Sequence, residues 1–237
     1  MGVIVDRYAT EEIFNTLEKL NINYYKSAEL DFLYKPVCTH PDMQIHFIDE
    51  SCAVAAPSVF NYYKNILPEY IQIYKGDRDP GSTYPYDCAY NVAKMGKRVI
   101  GNHLYTDKVI QRIYQDMDYE FINVKQGYTK CNLCVVDENT AITEDIGIYN
   151  TLKQHEIDVL KVPAGEIGLK FFEYGFIGGA SGKITPEKLC FCGDITKLKY
   201  FDEINDFLSK KPVDIICLSQ TKPADFGSVL YLNDNPA

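Results

Sequence analysis

"VIVDRYATEEIFNTLEKLNINYYKS", residues 3–27, followed after a polar loop by "HPDMQIHF", residues 40–47, is the unit from which the whole chain is built. It reads as a short apolar strand, an amphipathic helix, a second strand, a loop and a third strand. The same order returns four times, opening on "CAVAAP" (52–57), "RVIGN" (98–102), "TAITED" (140–145) and "KLCFCGD" (188–194). Opening strands at residues 3, 52, 98, 140 and 188 stand 42 to 49 residues apart, so five copies use up the sequence. A fixed period of this size signals a repeat architecture.

The helices of the copies carry apolar residues three and four apart, as in Ile13, Leu17 and Leu20 or Val109, Ile110, Ile113 and Met117, so each has one face to bury. Thr10, Ser58 and Thr106 with Asp107 stand where side-chain oxygens would cap helix starts. One such unit cannot cover both faces of its own sheet, whereas a closed ring of five can. We therefore expect a single α/β domain over 1–237, a five-bladed β/α propeller with pseudo-fivefold repeats. The last copy's "DFGSVLYL" (225–232) would pair with "VIVD" to seal the ring. The third strand of each copy, read as "HPDMQIHF", "YDCAYNVA", "KCNLCVVD", "IGLKFF" (167–172) and "DFGSVLYL", would line the centre.

Composition narrows the function classes. The chain is 46% hydrophobic and 24% charged, with a net charge of −9, which repels phosphate backbones and anionic lipid on average. Nucleic acid and membrane partners are not expected. The start "MGVIVDRYATEE" is no signal peptide and no apolar run approaches the length of a membrane span, so the expected compartment is the cytoplasm. The eight cysteines include five in apolar strand-like runs, which suits reduced buried thiols. Cys131-x-x-Cys134 with Cys190-x-Cys192 could also form a four-thiolate zinc site, but a C-x-C within a strand lacks the turn such sites use. No cofactor is expected: "GFIGGASGKI" (175–184) shares only its glycine content with phosphate-cradling loops.

The repeat, together with "NVKQGYTKCNLCVVDENTAITEDIGI" (123–148) and "DVLKVPAGEIGLKFFEYGFIGGASGKI" (158–184), resembles the pentein superfamily, the guanidine-group modifying enzyme fold, and within it an uncharacterised bacterial group. That resemblance implies a five-bladed β/α propeller. Its well-understood members use a cysteine nucleophile in the last blade, a histidine in the fourth and carboxylates that hold a guanidinium. In this chain the last copy offers Leu230 or Tyr231 at the cysteine's place, "GEIGLKF" offers Gly168 or a neighbour at the histidine's, and the standard Cys/His hydrolase chemistry is not expected. Other members, a ribosome anti-association factor among them, use the fold without that chemistry, so the resemblance leaves activity open.

Superposing the copies sets Asp42, Asp87, Lys130, Glu166 and Asp225 at one level, just before the inner strands, and His46, Asn91, Cys134, Lys170 and Val229 two or three positions deeper. In an extended chain His40, Asp42, Gln44 and His46 would share one face. A mouth of four carboxylates and one lysine favours an amine- or guanidine-bearing ligand. Lys125, at a strand end, could hold a carboxylate. Cys131 or Cys134 could be a relocated nucleophile, and Tyr86, Tyr90 and Tyr128 could supply aromatic walls. The bland alternatives are a solvated rim of turn acids, satisfied core side chains and inert thiols. His40 and His46 near Cys38 are suitable zinc ligands by type, but an extended chain would part the two imidazoles by ~20 Å. The favoured reading is a protein that binds a small polar molecule in a central cavity. An amidino-group enzyme with a relocated cysteine, and an interaction protein working through its surface, are the alternatives.

Overall fold

The computed structural model describes residues 1–233, so residues 234–237 of the expected domain lie outside the described residues. Fifteen strands form five three-stranded sheets. In chain order the elements are β1 Gly2–Val5, α1 Glu11–Lys19, β2 Asn23–Lys26, β3 Ile45–Asp49, β4 Cys52–Ala55, α2 Phe60–Ile66 and β5 Gln72–Lys75. They continue with β6 Ala93–Met95, β7 Arg98–Gly101, α3 Lys108–Asp116, β8 Glu120–Asn123, α4 Thr129–Asn132, β9 Leu133–Asp137, β10 Thr140–Thr143, α5 Ile146–Gln154 and β11 Asp158–Lys161. The last are β12 Ser181–Thr185, β13 Lys188–Phe191, α6 Phe201–Leu208, β14 Asp214–Cys217 and β15 Leu230–Leu232.

Each sheet straddles two sequence repeats. The third strand of one copy folds back as an antiparallel hairpin on the opening strand of the next, as β3 does on β4, and that strand pairs in parallel with the one beyond its helix, as β4 does with β5. The rule leaves β15 without a following partner and β1 without a preceding one. They pair with each other, Gly2 opposite Leu232 and Ile4 opposite Leu230, which closes the ring. The middle strands are buried, with Val3, Ala53, Val99, Ala141 and Leu189 all at 0% exposure, while the outer strands are largely exposed. This is the expected five-bladed propeller.

Helices bury most of the faces their periodicity marked, Ile13, Phe14 and Leu17 of α1, Ile110 and Tyr114 of α3, Ile148 and Leu152 of α5, Ile204 and Leu208 of α6, whereas Met117 falls past the end of α3 and is exposed. The caps fall differently from the sequence expectation. Asp107, not Thr106, accepts from the amides of Val109 and Ile110, Asp145 accepts from Ile148, and Thr10 makes no side-chain cap bond. Ser58 lies ahead of α2, and its amide donates to Asp79. No helix among the described residues is long and apolar enough to cross a membrane.

One strand is misplaced by the sequence reading. The fourth inner strand is β12, Ser181–Thr185, not 167–172; residues 167–172 contribute only a single bridge, Gly168 to Ala224. "IGLKFF" has strand composition but no hairpin partner, whereas Ser181–Thr185 lies against β13 through a tight turn at Pro186 and Glu187. Gly182 then touches the neighbouring inner strand through a bridge to Val229, and a Cβ there would run into the Val229 backbone. Gly182→Ala should lower unfolding free energy by about 1–3 kcal/mol through overpacking, read as a lower urea midpoint at unchanged slope.

Candidate functional site

The stretch 40–46 is not one extended strand. Pro41 starts a short 3-10 turn over Pro41–Met43, and β3 begins only at Ile45. The four polar residues are all buried, but the turn sends them to four places. Gln44 donates to the carbonyls of Ala28 and Cys38 and accepts from Tyr63 Oη at 2.7 Å, which makes it a structural tie. His46 Nε2 lies 2.7 Å from Tyr114 Oη. Burial, reinforced by the charges of Lys94 and Lys130, pulls its pKa down to about 3, so the ring is neutral.

Asp42 enters a buried hub. Its Oδ2 accepts from Ser228 Oγ at 2.7 Å and from the Cys131 thiol at 3.1 Å, while Oδ1 is buried without a hydrogen-bond partner. Lys130 Nζ donates to Ser228 Oγ at 3.0 Å, and Asn91 Nδ2 donates to Cys131 Sγ at 3.0 Å. Four of the five copies thus supply a hub side chain: Asp42, Asn91, the Lys130–Cys131 pair and Ser228. Burial and the neighbouring carboxylates of Asp42 and Asp225 push the Cys131 thiol well above its ordinary pKa. Burial also raises the pKa of Cys134. These are poor nucleophiles, because the thiolate is the reactive form.

His40 faces the loop end of the ring. There a cleft of about 340 Å³ is lined by Asp6, Thr39, His40 and Asp225, with Tyr8, Lys35, Lys170 and Phe171 also in its walls. Asp6 accepts from Thr39 Oγ1 and from the Tyr8 amide; Asp225 accepts from the amides of Phe176 and Gly227, and lies 3.7 Å from His40 Nδ1. Burial raises the pKa of both Asp6 and Asp225, the nearby His40 partly opposing it. Gly227, at φ 68°, lets the backbone pass against His40, where a Cβ would collide.

The other sequence candidates scatter. Asp87 accepts from Tyr128 Oη at 2.6 Å and from the Cys88 thiol, and does not line the cleft. Glu166 pairs with Lys199 at 2.6 Å and Lys222 at 2.8 Å, which hold its carboxyl low, to about 2. Its expected place in the ring fails with the misplaced fourth strand. Lys170 is exposed, its ammonium 5.0 Å from the Phe171 ring centre, and reaches the cleft from that loop rather than from an inner strand. Lys125 is exposed and lines neither space, and of Tyr86, Tyr90 and Tyr128 only Tyr90 lines a second cavity, at the hairpin end of the axis. Among the described residues no three His, Cys, Asp or Glu side chains are placed to hold a metal ion.

Sequence reasoning passed over Asp6 and Glu144. Both directly follow a middle strand, β1 and β10, a position marked in the repeat by "VIVD" and "TAITED". Glu144 accepts from the Ile177 amide at 2.9 Å, and burial lifts its pKa to about 7.

Five inner strands around an axis, with buried acidic and thiol groups at the hub, define a pentein-type β/α propeller. By sequence the chain belongs to a family of unknown function, DUF6873, whose model matches residues 4–230. No curated protein matches it in sequence. Among solved structures it is similar to SxtG, an amidinotransferase of the saxitoxin biosynthetic pathway from Microseira wollei, at 12% identity and TM-score 0.59, over 95% of this chain and 79% of that one. A DDAH from Pseudomonas aeruginosa complexed with citrulline matches at 9% identity and TM-score 0.54, covering 91% of each chain. The agmatine deiminase of C. jejuni matches at 12% identity and TM-score 0.54, over 92% of this chain and 87% of that one. Likeness at this identity establishes the fold. With β12 as the fourth inner strand, the segment leading into it, "FIGGASGKI" (176–184), holds no histidine, and no cysteine follows Cys217.

Two outcomes follow from the site's protonation states. Since Glu144 is raised from 4.5 to about 7, it favours the folded state below pH 4.5 and that contribution fades as pH rises to 7. Glu144→Gln should therefore flatten the loss of stability across that window, measured by urea unfolding at a series of pH values. Iodoacetamide at pH 8 should label Cys131 and Cys134 of the native chain far more slowly than the same residues in the unfolded chain, as read by peptide mass spectrometry.

Proposed function

We propose that the protein binds a small molecule carrying an amine or guanidine group in the loop-end cleft, and does so without a thiolate nucleophile. The observation that carries this reading is the charge of the floor. Asp6 and Asp225 are 3% and 4% exposed, Asp42 lies close behind, and a single imidazole stands among them. A cationic head group would complete that arrangement, because opposite charges attract strongly where water is excluded. Each carboxylate still has acceptor sites beyond the two that its protein donors occupy.

The walls suit the same ligand. Tyr8 and Phe171 offer ring faces on which a planar cation can stack, and Lys170 offers a partner for an anionic group further along the molecule, while Lys35 is paired with Glu29. A cleft of about 340 Å³ is at the small end of ligand pockets, which suits a metabolite the size of an amino acid. The solved relatives act on, or were captured with, compounds of this kind only in their own sites; here the reading rests on the aspartates.

Calorimetric titration with agmatine, L-arginine and L-lysine tests it. At least one of the three should bind with one-to-one stoichiometry, and Asp225→Asn or Asp6→Asn should weaken that binding roughly tenfold to a hundredfold, the worth of a charge-assisted hydrogen bond. Silence with all three compounds, or unaltered affinity in both variants, sinks the reading.

A further inference from the structure

The opposite end of the axis holds a second cavity, lined by Lys94, Lys130 and Lys183 as well as by Asp42, Asp49 and Glu50. About 280 Å³ in volume, it is lined by residues of all five inner strands and reaches the hairpin turn at Asp49 and Glu50. Its walls are organised by the pseudo-fivefold register. Phe47, Lys94, Val135, Lys183 and Tyr231 each pair with the second residue of their middle strand, Ala53, Val99, Ala141, Leu189 and Val3, so the five occupy one layer of the ring. All five are half-buried and all line the cavity.

Two members of that layer are lysines, and neither lies within ion-pair distance of a carboxylate among the described residues. Lys183 Nζ donates to the Pro186 carbonyl at 2.9 Å, and Lys94 stands 6.0 Å from the Tyr119 ring centre. Lys130 lies deeper, tied to Ser228. The carboxylates nearby are already engaged or outside: Asp42 with Ser228 and Cys131, Asp49 with the amide and hydroxyl of Ser51, Asp137 with the amide of Asn139, Glu187 with the hydroxyl of Thr185, and Glu50 exposed on the turn. Lys94 and Lys130 both help to hold His46 neutral, while burial lowers the pKa of Lys183 against the opposing charges of Asp137 and Glu187. Ile45, Val92, Val135 and Val229 keep the surroundings apolar.

We infer that this cavity is a binding site for a small oxyanion, a phosphate or a carboxylate, held between the ammonium groups of Lys94 and Lys183. Lone lysines kept half-buried on an apolar wall are costly without an anion, whereas an anion between two of them gains charge-assisted hydrogen bonds in a poorly screened space. The site is separate from the loop-end cleft: its wall is made by the inner strands themselves, whereas His40 and Asp225 stand on the segments that lead into two of them.

Titration calorimetry of the full chain at low ionic strength, with inorganic phosphate in one arm and succinate in the other, tests the inference and tells the two chemistries apart. One of them should bind one-to-one. Lys94→Met and Lys183→Met should each weaken it tenfold or more, Lys94→Arg should retain it, and Lys97→Met, on the outer turn, should leave it unchanged. Circular dichroism checks that the variants fold, and Asp225→Asn, which alters only the other end, should keep full anion affinity. No binding in either arm overturns the site, as does an affinity unchanged from that of the unaltered chain in either methionine variant.

Discussion

The pairing of β15 with β1 is the constraint on which the rest depends. Each blade borrows its inner strand from the preceding repeat, so any linear array of such repeats ends with one strand lacking a partner at each terminus. Exposed strand edges template unwanted pairing. Joining the two termini removes both at once, and fixes the number of blades at which the ring shuts. It also makes the inner strands converge, which is why the hub tolerates only glycine where Gly182 meets Val229 and where Gly178 passes the backbone of Lys130 and Cys131.

Convergence concentrates polar groups as well. The side chains that precede the inner strands have nowhere to go but the axis, and there Asp42, Ser228, Lys130, Cys131 and Asn91 satisfy one another in a layer that divides the loop end from the hairpin end. Burial amplifies charge on either side of that layer. Asp6 and Asp225 lie at the floor of the loop-end cleft, whereas Lys94 and Lys183 stand in the wall of the hairpin-end cavity. The same burial silences the thiols. Cys131 sits at the hub, yet its carboxylate neighbours favour the protonated form, the reverse of what nucleophilic cysteines receive from nearby cations.

The site was only partly legible. Asp42, His40 and Asp225 stood out because polar residues recur just ahead of each inner strand, and the structure buries all three. Glu166 and Lys170 were drawn in by the strand-like "IGLKFF"; Glu166 fell away and Lys170 reaches the cleft from a loop instead, because the pairing partner of β13 lies fourteen residues further on, past a glycine-rich excursion with no periodic pattern. Asp6 was hidden as the last letter of an apolar strand. Lys94 and Lys183 share a ring layer only once the registers of β6 and β12 are known.

The sequence by itself determined the repeat, the amphipathic helices, the buried middle strands and hence the closed five-bladed ring, because hydrophobic periodicity is a local property that each unit carries in full. Only the tertiary structure decided which polar residues meet. Pro41 bends the chain ahead of β3, and strand register then assigns His40 to one end of the axis, Asp42 to the hub, and Gln44 and His46 to separate tyrosines. Such meetings depend on pairings between residues dozens to nearly two hundred positions apart, and no pattern along the chain encodes that distance.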